Sequence, residues 1–316
     1  MWRATSLGII VGGVLSFSLA FMFADVQASD RSPKHAVAAT VAANTPAPPA
    51  AEPSPEPAAT PLPTHPSFGP LAQTVARIIA ASGGNVGVTL IELGGPVPSS
   101  WSTRGSTPMD AASTYKLPAL MAEAQLVAEK RINPAGRVCF EDSDWEDGWY
   151  DDYSAGDCYS RNVLANRAGI DSDNTAGHML VRDVGGAEAL NSYAAGLGAL
   201  DSTFFDINQT TSDALARLLA AEATGTAGGA AAQAWLYPNL TKTRFEMGIP
   251  AGLPAGTTVI HKTGDLDPVV DDAAIVPGGK SGPYVLAVMT DGPGGDAGWS
   301  VVAQISAAVW AYEAER

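Results

Sequence analysis

Strand-like alternation is confined to the two ends of the folded part of this 316-residue chain, and helical periodicity fills almost everything between them. Asn85 to Leu93 alternates, with Val86, Val88, Leu90 and Glu92 on one face and Gly87, Thr89, Ile91 and Leu93 on the other. Gly94-Gly95-Pro96 then turns the chain toward a partner strand at Ser100 to Arg104. Ahead of them, Leu71 to Ala81 reads as a helix that stops before Gly83-Gly84. Near the C-terminus, Thr257 to Lys262, Val269 to Val276 and Pro283 to Thr290 read as strands, followed by an apolar-periodic helix from Ser300 to about Glu313. The stretch between carries helical spacing at Leu117 to Lys130, Asn174 to Val184, Ala187 to Ala195, Ser212 to Glu222 and Ala230 to Leu236. A sheet assembled from both chain ends, with an all-helical lobe inserted, satisfies this pattern. The expected fold is an α/β (α+β) sandwich: an antiparallel sheet flanked by helices, with a sheet lobe over 70–111 and 252–316 and a helical lobe over 112–251. A cleft between such lobes is where a site belongs.

The first 69 residues obey other rules. One positive charge precedes an apolar run from Leu7 to Ala24, and Val26-Gln27-Ala28 offers small residues for cleavage, so 1–28 is a signal peptide or an uncleaved N-terminal anchor. Residues 29–69 form a Pro/Ala-rich linker, since closely spaced prolines remove backbone donors and few bulky apolar side chains are available to bury. Together they predict an exported, extracytoplasmic body over 70–316. With 18 Lys+Arg against 33 Asp+Glu, the formal charge of −15 argues against a nucleic-acid partner. In an oxidising compartment the only two cysteines, Cys139 and Cys158, most simply form one disulfide; the alternative is a pair of buried thiols. The histidines (His35, His65, His178, His261) show no metal spacing, so neither metal nor cofactor is expected, and His178 reads as a core residue. The expected state is a monomer.

Three short motifs carry chemistry. Ser113-Thr114-Tyr115-Lys116 sets a serine and a lysine three apart at a helix start, where the amine can reach the hydroxyl and activate it; alone it reads equally as a helix cap beside a solvated lysine. Ser172-Asp173-Asn174 precedes a helix and also suits capping. Lys262-Thr263-Gly264 closes the Thr257 to Lys262 strand, where the lysine and threonine can hold a carboxylate and the glycine allows close approach, or simply ends a strand. Their joint occurrence in this order, 59 and 90 residues apart, is far more specific than any one of them.

On these motifs the chain resembles the penicillin-recognising serine hydrolases, most closely the class A β-lactamases. The resemblance covers roughly Pro70 to the C-terminus and includes Asp173-Asn174-Thr175-Ala176, Gly185-Gly186-Ala187-Glu188-Ala189, Thr210-Thr211 and Tyr284-Val285-Leu286-Ala287-Val288. It implies an acylated nucleophile at Ser113, with Lys116 as its proton partner and Ser172 passing a proton to the departing nitrogen. Asn174 would hold the substrate amide carbonyl, Lys262 and Thr263 its carboxylate, and the backbone N–H groups of Ser113 and of Asp265, next to Gly264, the oxyanion. The implied ligands are β-lactams or D-Ala-D-Ala-type peptides of peptidoglycan.

The chain also departs from that pattern. The Leu200 to Thr211 loop is short and has no glutamate; its only acids are Asp201 and Asp206, with Asp206 read as a loop cap. No arginine occurs from Leu266 to Ile275, which leaves the carboxylate to Lys262 and Thr263. Acylation therefore looks intact and deacylation impaired. The Glu141 to Asp157 insert, with eight acids, no base and Trp145, Trp149, Tyr150 and Tyr153, is expected to be a solvated, disulfide-stapled rim rather than an aromatic lid or a calcium loop. The alternative function is a non-catalytic cell-wall or partner-binding module on the same fold.

Overall fold

A computed structural model of the chain describes residues 67–94, 99–279 and 282–315. The expected signal or anchor over 1–28, and the linker up to residue 66, lie outside the described residues. Among the described residues no helix is long and apolar enough to cross a membrane.

In chain order the elements are α1 (Gly69–Ser82), β1 (Asn85–Glu92), β2 (Ser100–Thr103), β3 (Met109–Asp110), a 3-10 turn (Ala112–Tyr115), α2 (Lys116–Ala128), β4 (Arg137–Cys139), β5 (Cys158–Ser160), α3 (Arg161–Ile170), α4 (Asn174–Asp183), α5 (Gly186–Gly196), β6 (Gln209–Thr210), α6 (Ser212–Ala223), α7 (Gly229–Leu236), β7 (Ile260–Leu266), β8 (Val269–Val276), β9 (Tyr284–Asp291) and α8 (Gly295–Glu315). The main sheet is antiparallel throughout, ordered β2-β1-β9-β8-β7, so strands from both chain ends interleave as the alternation required.

Each face of the sheet buries one helix layer. Val86, Val88 and Leu90 join Leu71 and Val75 of α1 and Trp299, Val302, Ile305 and Val309 of α8. Each such side chain contributes roughly 1.5–3 kcal/mol by leaving water. The other face, with Ala273, Ile275, Val285, Ala287 and Met289, shares a core with the helices. Thr89 anchors that face to α6 through Ser212 Oγ at 2.9 Å and Asp213 Oδ1 at 2.7 Å.

Several boundaries differ from expectation for physical reasons. β7 begins at Ile260, where its pairing with Ile275 of β8 starts, and runs through Lys262-Thr263-Gly264 to Leu266, so the motif lies inside a strand rather than at its end. Helix α3 was not anticipated, because Arg161, Asn162, Asn166 and Arg167 dilute its apolar spacing. Two small ladders also lie in the helical region: β3 pairs with β6, and β4 with β5. Cys139 and Cys158 face each other across the second and form the disulfide. Closing a loop of this length is worth about 3 kcal/mol, so Cys139→Ser with Cys158→Ser is expected to lower the unfolding free energy by about that amount, read from urea curves.

A charged cluster gathers around His261 of β7, buried on the Asp272 side and open to solvent at Glu246. His261, fully buried, meets Asp272 Oδ1 at 3.0 Å through Nδ1, and Glu246 Oε1 at 3.3 Å and Thr243 Oγ1 at 3.1 Å through Nε2. Burial alone would lower its pKa, but the two carboxylates outweigh burial and raise it to about 9 from 6.5. The raised value means that the stabilisation is complete below about pH 6.5 and disappears as pH climbs through 9. Urea unfolding on either side of pH 9 is expected to show this loss, and His261→Gln to flatten that part of the profile.

Candidate active site

Ser113 sits on a turn that its surroundings hold from three sides. Ala112, at φ 41°, has an unusual backbone for a non-glycine residue. Its N–H donates to Asp110 Oδ1 at 2.7 Å, and its carbonyl accepts from Asn208 Nδ2 at 3.0 Å. Ala111 N–H donates to the Asn208 carbonyl at 2.7 Å. From the sheet side, a Cβ on Gly264 would lie 3.0 Å from both the Ala111 carbonyl and the Ala112 methyl, so only glycine lets β7 come this close. Ser113 is left partly exposed between buried neighbours.

The three motifs converge on that serine. Lys116 is completely buried, and its Nζ donates to Ser113 Oγ at 2.9 Å, the Ser172 carbonyl at 2.7 Å and Asn174 Oδ1 at 2.7 Å. Ser172, in the left-handed region at φ 60°, points its Oγ between two lysines: 3.0 Å from Lys262 Nζ and 3.4 Å from Lys116 Nζ. Lys262 also donates to the Thr263 carbonyl at 2.8 Å. Lys262, Thr263 and Gly264 are buried, whereas Asp265 is exposed beyond them. Gly177 lets α4 approach, since a Cβ there would lie 2.7 Å from Lys116 Cε.

Burial sets the electrostatics. It pushes the Lys116 amine down to about 7 against the charges of Asp173 and Glu146, so near neutrality a substantial fraction is an uncharged base. Lys262 is held well below its ordinary value by burial and by the like charge of Lys116, with Asp272 opposing. A carboxylate arriving beside Lys262 would relieve this.

Asp173 serves the architecture. Its Oδ1 accepts from Ala176 N–H at 2.9 Å, capping α4, and from Tyr153 Oη at 2.7 Å; its Oδ2 accepts from the N–H groups of Trp149 at 3.0 Å and Tyr150 at 3.2 Å. The rim loop is thus tied to the second motif. Several of its acids are paired: Asp144 grips Arg182, Asp152 grips Arg167, and Glu146 meets His178. Asp144 is the one buried acid of this loop; the other seven are exposed, so the rim faces solvent as expected. His178 is mostly covered, packed against Phe205 and Tyr115, and also pairs with Glu146. Among the described residues no group of three His, Cys, Asp or Glu is arranged to hold a metal ion.

The short loop contributes Asn208 and Phe205 rather than an acid. Asp201 and Asp206 are exposed, while Phe205 packs edge-on against Tyr115 and His178. Asn208 and Asp110 were not singled out from the sequence, and no local spacing marks them; Asp173 lay inside the second motif and Glu146 inside the rim insert, neither with a role of its own.

Residues 70–313 match the family model described as the beta-lactamase enzyme family, which spans most of the chain. The chain belongs to that family. Among solved structures of this β-lactamase fold, PBP-A matches with a TM-score of 0.74 at 25% identity, over 81% of this chain and 100% of that one. A variant of PBP-A, solved as an acyl-enzyme complex with penicillin G, matches equally. A β-lactamase from Sphaerobacter thermophilus matches at 0.70 and 26%, over 79% of this chain and 99% of that one. No curated protein matches. The neighbours bear out the antiparallel sheet with its helical lobe, and family membership makes the chain a β-lactamase-like hydrolase.

Proposed function

We propose that this protein is an exported, monomeric serine hydrolase that forms an acyl-enzyme at Ser113 with β-lactams or with D-Ala-D-Ala-type cell-wall peptides. The observation that carries this reading is the 2.9 Å contact between Ser113 Oγ and a buried Lys116 amine whose pKa is pushed down to about 7. The neutral amine takes the Ser113 proton as Oγ bonds to the substrate carbonyl carbon. The carbon–nitrogen bond then breaks, and the departing nitrogen takes a proton from Ser172 Oγ, which takes in turn the one held by Lys116, 3.4 Å away, leaving that amine neutral again. Lys262 and Thr263 receive the substrate carboxylate, Asn174 its amide, and the N–H groups of Ser113 and Asp265 the oxyanion. PBP-A, whose variant was captured with penicillin G, supports a β-lactam as ligand.

Hydrolysis of the resulting ester is slow in this reading, because the 200–211 loop presents no carboxylate to the site: Asp201 and Asp206 both face solvent. Intact-protein mass spectrometry after mixing with benzylpenicillin tests both steps. A long-lived adduct that maps to Ser113 is expected. A transient adduct with the antibiotic consumed would overturn slow deacylation, and no adduct at all would turn the protein into a binding module.

A further inference from the structure

The rim loop reaches this centre from outside the three motifs: the Asp147 carbonyl accepts from Asn174 Nδ2 at 2.8 Å, and Asn174 Oδ1 accepts from Lys116 Nζ at 2.7 Å. Glu146 lies on the rim loop, and its backbone is clamped to α4 by reciprocal bonds with Thr175: its N–H donates to Oγ1 at 3.1 Å, and Oγ1 donates to its carbonyl at 2.8 Å. This clamp sets its carboxylate 2.7 Å from His178 Nε2. His178 follows Asn174 by one helical turn, on the same face of α4, and Asn174 itself accepts from Lys116. The neighbouring Gly177 is the point where α4 touches Lys116. The imidazole is fixed edge-on to Phe205, with ring centroids 4.9 Å apart at 84°, and lies 6.3 Å from the ring of Tyr115. The ring is mostly covered and the carboxylate half exposed.

We propose that Glu146, held by His178, positions the proton on Lys116 and so sets the pH window in which Ser113 is acylated. It does from the rim what no acid of the short loop does. This role rests on the acyl-enzyme reading of Ser113 and Lys116.

The charges around the pair support it. Burial drives Lys116 toward the neutral amine, while Asp173 and Glu146 hold the proton on. Lys262 is the other amine at the site, its Nζ 3.0 Å from Ser172 Oγ, and burial and Lys116 hold it well below its ordinary value. Asp173 is fully buried and fixed by four hydrogen bonds, so Glu146 is the adjustable member. His178 is pulled down by burial and by the Lys116 charge, against Glu146 and Asp144. Asp144 is in turn occupied by Arg182, which also meets Glu141 at 2.9 Å. Tyr115, which burial keeps protonated, adds no charge. Near neutral pH the pair therefore carries the single negative charge of Glu146.

The test is the rate of Ser113 acylation by benzylpenicillin, followed by intact mass from about pH 5 to about pH 9. Glu146→Gln removes the charge with little change in shape, so the acid limb moves to lower pH. One unit below the wild-type midpoint the variant keeps about threefold more of its own plateau rate. Glu146→Asp restores the wild-type limb, and His178→Gln, which leaves the carboxylate charged, stays with the wild type. Linkage is reciprocal, so Lys116→Ala is expected to raise the His178 titration midpoint in proton–carbon NMR, a readout that needs no acylation. An acid limb that ignores Glu146→Gln, an equal loss of rate at every pH, or an unmoved His178 titration overturns the inference alone. Absence of any wild-type adduct overturns the acyl-enzyme reading and this role with it.

Discussion

Ser113→Ala is expected to abolish the penicillin adduct, and Lys116→Ala to slow its formation by about a thousandfold, within the range for loss of a positioned general base. The first removes the hydroxyl that meets the Lys116 amine at 2.9 Å; the second removes that amine while leaving the hydroxyl in place. Because the amine must be neutral to accept the proton, acylation by the wild-type protein falls as pH drops through about 7. The Lys116→Ala residual rate should lack that limb. A time course of intact mass at several pH values checks all three statements. Retention of more than about a tenth of the wild-type rate by Lys116→Ala would assign the proton transfer elsewhere.

Asp173→Ala is expected to cost about 3–5 kcal/mol of stability, as when a buried charge that satisfies several donors is deleted. Ala176 N–H and Tyr153 Oη lose a buried acceptor, and Trp149 N–H and Tyr150 N–H a part-buried one. Asp173→Asn keeps one acceptor oxygen and should lose roughly half as much. Urea unfolding measures the total, and hydrogen exchange locates it: the amides of 145–153 should exchange faster in both variants. A loss under about 1 kcal/mol would mean that the rim is held by its ion pairs instead.

What could be read in advance follows from how local each signal is. The strands β1, β8 and β9 were legible because alternation and flanking glycines are written within a few residues. Ser113, Lys116, Ser172 and Lys262 were legible because the chemistry demands particular side chains at short spacing, and the structure brings them within hydrogen-bonding reach of one another. Asn208 and Glu146 were not: their roles exist only once one loop folds onto Ala111 and Ala112 and another onto Thr175. The start of β7 was misplaced because Thr257 to Val259 has strand-like composition, but the ladder with β8 opens only at the Ile260–Ile275 pair and Thr257 N–H closes a turn on the Pro254 carbonyl.

The Asn208 clamp bears on how such a protein can change. The loop's C-terminal end is stitched to the backbone carrying the nucleophile, whereas Leu200 and Ile207 at its tip are exposed. Exchanges at the exposed Leu200, Asp201, Asp206 and Ile207 can remodel the loop surface while the register of Ser113 is kept, whereas the buried Phe204, tied to Asn191, stays fixed. A change at Asn208 moves the nucleophile itself. Evolvability in this chain is therefore directional: new residues that serve the second chemical step enter from the tip, and the hinge at Asn208 stays as it is.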